Sequence, residues 1–106
     1  MSASDKVKAM IADNKVMVFS KSYCPFAGQT KDALINAGVA FEKIELDTCE
    51  GGDDLHAALK TICGKNTVPQ TYISGEHIGG NDDFQAAKGS GKLKDMLNAA
   101  GVANNF

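Results

Sequence analysis

Residues 15–27 read KVMVFSKSYCPFA, a pattern that predicts a buried strand running directly into a helix. Residues 15–20 are almost continuously apolar, as is typical of a strand covered on both faces. Pro25 suits the first position of a helix, because its missing N–H costs nothing there and its fixed φ is already helical. Since proline also disfavours helical backbone in the residue before it, we expect Cys24 to be the helix cap.

The position of Cys24 predicts a reactive thiol. The free amide groups of the first helical turn and the positive end of the helix dipole would lie against its sulfur, and both favour the thiolate. Lys21, three residues earlier, adds a positive charge. An exposed thiolate is the nucleophile of thiol–disulfide exchange. The alternative is a small buried cysteine, but a strand-to-helix junction followed by proline favours the nucleophile.

Two later segments suggest a ligand. Residues 67–70 read TVPQ, in which a proline opens a strand and could be cis, so that the backbone of Val68 would present an unpaired edge to an extended peptide. Residues 79–83 read GGNDD and precede a helix, whose free N–H groups would suit a carboxylate. Asp82 or Asp83 would suit an ammonium group. Together these groups fit a zwitterionic amino-acid head, although in isolation the segment also fits an ordinary cap on a surface helix.

The apolar periodicity along the chain alternates between helix and strand. A helix capped by Ser4 and ending near Asn14 precedes the strand at 15–20. The later predicted elements are a helix from 25 to a stop at 38, a strand at 41–46, a helix over 55–63, strands at 68–74 and 77–79, a helix from about 84 and a last helix before 101. A strand–helix–strand unit implies a parallel pair, whereas the turn around 74–76 predicts an antiparallel hairpin. The fold class is therefore α/β, with a small mixed sheet and helices on its faces.

Composition excludes several classes of protein. The chain has 106 residues, of which 43% are hydrophobic and 23% charged, as expected for one globular domain rather than a disordered chain. Eleven basic and 13 acidic residues give a net charge of −2, which argues against a nucleic-acid partner. No apolar run is long enough for a membrane span, and the first residues lack the apolar core of a secretory signal. We therefore predict neither a membrane partner nor secretion.

The three cysteines are Cys24, Cys49 and Cys63, an odd number that cannot pair within one chain. A disulfide-stapled secreted module would carry an even and denser set, so a reduced cytoplasmic protein is predicted. Cys63 ends an amphipathic helix and is expected in the interior. Cys49 lies in a polar loop and is expected to be exposed, so neither is expected to take part in catalysis.

The order and spacing of these motifs resemble those of glutaredoxins, which have the thioredoxin fold. The matching motifs are Cys-Pro-aromatic at 24–26, Thr-Val-Pro at 67–69 and Gly-Gly-x-x-Asp at 79–83, and the resemblance extends from about Lys6 to Leu97. It implies a single glutaredoxin domain over residues 1–106, with a four-stranded mixed sheet flanked by about five helices.

The resemblance also implies a function. Cys24 would attack glutathione mixed disulfides, forming an adduct that a second glutathione resolves. Lys21 would bind the glycyl carboxylate of glutathione, Val68 would pair with its cysteinyl unit, and residues 80–83 would hold its γ-glutamyl head. The implied glutathione-binding residues are Lys21, Tyr23, Phe26, Thr67, Val68, Pro69, Gly80, Asn81, Asp82 and Asp83. The implied protein is a monomer that uses glutathione as co-substrate, holds no metal, and acts on glutathionylated proteins and small disulfides.

Ala27 departs from the family pattern, because dithiol glutaredoxins carry their second, resolving cysteine at this position. The motif therefore resembles a Cys-Pro-Phe-Cys site with its resolving sulfur removed, and we hypothesise an engineered Cys→Ala change that traps the adduct on Cys24. Deglutathionylation, which needs only Cys24, is then expected to survive. A second hypothesis is a dimer that shares a glutathione-ligated [2Fe–2S] cluster through two Cys24 thiolates, although the stiff turn at Pro25 argues against it.

Overall fold

The computed structural model describes residues 2–106, which form a four-stranded sheet with five helices. In chain order these are α1 (Ala3–Asp13), β1 (Val16–Ser20), α2 (Pro25–Asn36), β2 (Glu42–Glu45), α3 (Gly52–Cys63), β3 (Gln70–Ile73), β4 (Glu76–Gly79), α4 (Asn81–Ser90) and α5 (Lys92–Ala99). The strand order is β2-β1-β3-β4, with β1 and β2 parallel and the other two pairings antiparallel. The predicted α/β class and mixed sheet are confirmed. Met1, included in the predicted domain, lies outside the described residues.

Strand β1 lies at the centre of the molecule and is buried over its whole length. Its alternating side chains point to opposite faces of the sheet. Val16 and Val18 pack in a cluster with residues of α2, α4 and α5. Met17 and Phe19 pack in a second cluster with residues of α1 and α3. The apolar run is therefore continuous because each face of β1 has its own layer of helices, as the sequence predicted.

Three predicted helix starts differ from the structure. Helix α3 begins at Gly52 rather than at 55. Helix α1 is capped by Ser2, whose hydroxyl oxygen accepts a hydrogen bond from the Asp5 N–H at 3.1 Å, and not by Ser4. Helix α4 begins at Asn81, with Gly80 as its cap, rather than near Phe84. Asn81 to Asp83 thus form the first turn of α4 instead of preceding it, and the Asn81 side chain hydrogen-bonds both to α2 and to Gln85 of its own helix.

The hairpin between β3 and β4 closes through a two-residue turn. Ile73 pairs with Glu76, and the two residues between them, Ser74 and Gly75, have φ values of 51° and 82°. Two consecutive left-handed residues match the right-handed twist of the flanking strands. The predicted hairpin is confirmed. Its turn lies at the end of β3, whereas the start of β3 pairs with the end of β1.

The described helices are short. The longest, α2 and α3, have 12 residues each, whereas a bilayer crossing needs about 20 apolar residues. None of the helices within residues 2–106 is long and apolar enough to cross a membrane.

Adjacent residues of α2 provide a test of the core. Leu34 is 0% exposed in the cluster shared by α2, α4 and α5, whereas its neighbour Ile35 is 61% exposed. We expect Leu34→Ala to lower the free energy of unfolding by about 2–5 kcal/mol through lost burial and the cavity left behind. Ile35→Ala, the matched control, should change it by no more than about 0.5 kcal/mol. Chemical denaturation measures both, and equal effects would contradict the described packing.

Candidate active site

Cys24 caps α2, as its sequence position predicted. Its backbone is extended, with φ −83° and ψ 115°, and Pro25 follows as the first helical residue. The side chain, however, accepts no hydrogen bond from the first turn of the helix. The thiol instead donates to the carbonyl oxygen of Val68, with Sγ and oxygen 3.6 Å apart. The expected contact between the sulfur and the helix amides is thus absent. The sulfur contacts the Thr-Val-Pro segment instead, where the Val68 carbonyl accepts a hydrogen bond from the neutral thiol.

The segment before β3 reaches Cys24 through the sheet. Gln70, the first residue of β3, pairs with Phe19 near the end of β1, so the residues just before it lie beside the turn that follows β1. The Val68–Pro69 peptide bond is cis, which confirms the sequence-based suggestion. Strand pairing therefore joins two motifs that are 44 residues apart in the chain.

A groove of about 300 Å³ lies next to this contact. Eight of the ten predicted glutathione-binding residues line it, together with two that the sequence analysis missed. The predicted ones are Phe26, Thr67, Val68, Pro69, Gly80, Asn81, Asp82 and Asp83, and the missed ones are Lys65 and Gln70. Lys21 and Tyr23 do not line the groove, and the Tyr23 side chain is 70% exposed. One concave surface thus combines most of the predicted site.

Gln70 is a buried brace for the Thr-Val-Pro segment. It is 1% exposed, and its Nε2 donates to the carbonyl oxygen of Thr67 at 2.9 Å. Its Oε1 lies 2.7 Å from Nε2 of His77, which therefore carries the donated proton. Burial lowers the pKa of His77, although the nearby carboxylate of Asp83 opposes this shift, so the ring is neutral near pH 7. The alternation of side chains along β3 could have predicted that Gln70 faces inward. Its contact with His77 could not be predicted in this way, because the hairpin brings His77 to it.

Lys65 brings a positive charge to the groove from the loop that follows α3. Lys65 was not among the predicted site residues, since a lysine in a loop is most often a solvated surface residue. Its one sequence signal is its place two residues before Thr67, at the start of the Thr-Val-Pro segment.

The two aspartates at the start of α4 have different surroundings. Asp82 and Asp83 are both exposed and line the groove. The Asp83 carboxylate folds back against the backbone of Gly79, where any Cβ would collide with it. Gly79 has a φ of +117°, which L side chains rarely adopt, so both its conformation and this close approach require glycine. Of the two carboxylates, Asp82 is left without this backbone contact.

Asp47 tethers the turn that carries Lys21 and Cys24. Its Oδ1 accepts from the Ser22 N–H at 2.8 Å, and its other oxygen accepts from the Ser22 hydroxyl. These hydrogen bonds, helped by the positive charge of Lys21, lower the pKa of Asp47. The sequence-based predictions did not include this tether. The available signal was that Asp47 follows β2 just as Ser22 follows β1, because the carboxyl ends of parallel strands meet at one edge of a sheet.

The other two cysteines are half-buried. Cys63 donates to the carbonyl oxygen of Lys65 at 3.5 Å and packs at the margin of the α1/α3 cluster, so its expected full burial was wrong. Cys49 packs against the same cluster and is less exposed than expected. No three His, Cys, Asp or Glu side chains within residues 2–106 gather closely enough to hold a metal ion.

Comparisons with known proteins agree on one family. The family model described as Glutaredoxin matches residues 16–78. A glutaredoxin of Solanum lycopersicum is 43% identical over 97 residues, covering 92% of this chain and 90% of the relative. The crystal structure of a buckwheat glutaredoxin–glutathione complex matches with a TM-score of 0.90 and 37% identity, covering 93% of this chain and 90% of the other. A wheat glutaredoxin structure matches with a TM-score of 0.88 and 45% identity over 92% and 91% of the two chains.

The Asp47 tether predicts a pH-dependent signal at Ser22. Because the pKa of Asp47 is lowered in the folded protein, the tether is complete above the ordinary aspartate pKa and is lost as pH falls through the lowered value. The NMR shift of the Ser22 amide proton should follow that titration, with its midpoint below the ordinary aspartate value. Asp47→Asn should remove the acid transition from this resonance. A midpoint at or above the ordinary value would contradict the tether.

Proposed function

The chain belongs to the glutaredoxin family, and from this premise we propose that it is a glutathione-dependent thiol–disulfide oxidoreductase that reduces glutathione mixed disulfides through Cys24. The observation that carries this proposal is the contact between the Cys24 thiol and the carbonyl of Val68, a residue that lines a groove suited to a short peptide. The buckwheat relative whose structure contains glutathione supports the choice of ligand.

Glutathione has three polar regions, and the groove offers a partner for each. The N–H groups at the start of α4 suit the α-carboxylate of the γ-glutamyl unit, and the exposed Asp82 suits its ammonium group. The backbone of Val68 suits the cysteinyl unit, since it lies beside the Cys24 sulfur. Lys65 in the groove, with Lys21 on the neighbouring turn, suits the glycyl carboxylate. We propose this direction of binding, with the sulfur of glutathione beside Cys24.

The proposed reaction is two successive thiol–disulfide exchanges. Cys24, reacting as the thiolate, attacks the glutathionyl sulfur of the mixed disulfide. The bond between Cys24 and glutathione forms, and the substrate leaves as a thiolate that takes a proton from solvent. A second glutathione, as thiolate, attacks the adduct and leaves as glutathione disulfide, which restores the Cys24 thiolate. The substrate disulfide is thereby reduced by two electrons, and two glutathione sulfurs end as one disulfide.

Ala27 removes the intramolecular alternative. It lies in the first turn of α2, three residues after Cys24, and is 0% exposed. With no sulfur there, the adduct on Cys24 can be released only by another thiol. We propose that Ala27 replaces the resolving cysteine of a dithiol site. Cys49 and Cys63 are assigned no part in the reaction, and the predicted setting is the cytoplasm, where glutathione keeps thiols reduced.

A dimer sharing a [2Fe–2S] cluster is the second hypothesis of the sequence analysis. One chain would contribute a single thiolate from Cys24, so the cluster would need a second chain and two glutathione thiolates. Since Pro25 follows Cys24 and stiffens its turn, no described feature favours this hypothesis over the monomeric enzyme.

Removing the nucleophile tests the proposed activity. Cys24→Ser should lower the glutathione-coupled reduction of a small glutathione mixed disulfide to the uncatalysed rate, because a serine hydroxyl cannot form the intermediate disulfide. The double variant Cys49→Ser/Cys63→Ser is the matched control and should keep the rate of the unchanged protein. A coupled assay that follows glutathione disulfide measures all three proteins. Turnover in the Cys24→Ser protein would refute the assignment.

Restoring a sulfur at position 27 tests the proposed resolving position. After incubation with glutathione disulfide, intact mass should show one glutathionyl group on the unchanged protein, located at Cys24 by peptide mass. Ala27→Cys should convert this adduct into an internal disulfide and raise the rate at which protein disulfides are reduced. A stable adduct in Ala27→Cys, or no adduct in the unchanged protein, would contradict the proposed site.

A further inference from the structure

A polar cluster joins helix α2, which carries the nucleophile, to helix α4, whose first turn lines the groove. The Thr30 hydroxyl donates to Asn81 Oδ1 at 3.0 Å, and Asn81 Nδ2 donates to Gln29 Oε1 at 2.8 Å. Gln85, one turn further along α4, also donates to Asn81 Oδ1 at 3.2 Å. Thr30 is 0% exposed and Asn81 is 8% exposed, so the central hydrogen bond is screened from water.

This arrangement gives Asn81 a different task from the one its sequence position suggested. Its Oδ1 accepts two hydrogen bonds and its Nδ2 donates one within the cluster, so three of the four hydrogen bonds that the side-chain amide can make are already used there. The side chain thus acts between the helices, while the backbone of Asn81 stays at the N-terminus of α4, where the first N–H groups have no intrahelical acceptor.

The cluster spans two points that one glutathione molecule has to reach together. Cys24 at the start of α2 reacts with the sulfur of glutathione, and the first turn of α4 holds its γ-glutamyl head under the proposed function. Gln29 and Thr30 follow Cys24 by five and six residues, on the same helix. A shift of α4 relative to α2 would therefore change the separation between the head-group site and the attacking sulfur.

The chemistry of the cluster suits precise positioning. Apolar contacts between α2 and α4, such as those around Leu34 and Phe84, are non-directional and tolerate small displacements. A buried hydrogen bond has a preferred length and angle, and leaving its partner unpaired is costly. The Thr30–Asn81 bond therefore favours one relative placement of the two helices.

We propose that Asn81 is a positioning residue that, through Thr30 and Gln29, sets the distance between the Cys24 sulfur and the head-group site at the start of α4. This inference rests on the proposed function, because it assumes that glutathione spans the two points. Its consequence is selectivity: the cluster accelerates the attack on disulfides that carry a γ-glutamyl head and leaves other disulfides unaffected.

The test compares two first-step reactions of Cys24 in single turnover, one with glutathione disulfide and one with 2-hydroxyethyl disulfide, which has no γ-glutamyl head. Thr30→Val removes the hydroxyl while keeping the shape of the side chain. We expect it to lower the rate with glutathione disulfide about tenfold, since small misplacements of reacting groups are costly. The rate with 2-hydroxyethyl disulfide should not change. Quenched samples analysed by peptide mass give the adduct on Cys24 in each case.

Three further variants separate positioning from general damage. Thr30→Ser keeps the hydroxyl and should restore the rate with glutathione disulfide. Gln85→Ala removes a bond to the same Asn81 oxygen within α4 and should leave both rates unchanged. Gln29→Ala truncates an exposed side chain, and it should lower only the rate with glutathione disulfide.

The outcomes distinguish this inference from the proposed function. If the unchanged protein reacts no faster with glutathione disulfide than with 2-hydroxyethyl disulfide, the proposed function fails. If it shows that preference and Thr30→Val keeps it, the positioning role is overturned. If Thr30→Val slows both reactions, the fold has been damaged and Gln29→Ala decides: an unchanged preference in that variant also overturns the positioning role.

Discussion

The complete burial of β1 is the constraint on which the rest of the structure depends. A strand covered on both faces needs a helical layer on each side, and α1 with α3 on one face and α2 with α4 and α5 on the other provide them. The chain leaves the sheet at the end of β1, after Ser20, and must start α2 within a few residues. Cys24 and Pro25 occupy this short turn, so the nucleophile lies where a buried strand, an exposed turn and a helix N-terminus meet.

The neighbouring strands of β1 assemble the site around this turn. Parallel pairing with β2 brings Asp47 to Ser22 and holds the turn in place. Antiparallel pairing with β3 brings Val68 to the Cys24 sulfur, and Gln70 braces the same segment from within the sheet. The groove is thus formed by segments that are distant in sequence. Each segment adjoins a strand that either pairs directly with β1 or, like β4, pairs with β3.

The sequence is most predictive where local chemistry leaves few choices. Proline after cysteine at a strand end determined the cap of α2, and the order of apolar runs determined the parallel pair and the hairpin. The sequence is less predictive at polar residues. The bond from Asp47 to Ser22 and the bonds from Asn81 to α2 were not predicted, because a polar residue near a strand end or a helix start has several local roles. Only its neighbours in space select among them.

The sequence by itself determined the α/β class, the buried strand, the cap position of Cys24 and the family to which the chain belongs, because periodicity, proline geometry and motif spacing are local properties. The tertiary structure decided which acceptor the thiol meets, which lysine reaches the groove, and that Asn81 links α2 to α4. The contacts of the thiol and of Asn81 join residues 44 and 51 positions apart, whose separations are set by strand register and helix packing.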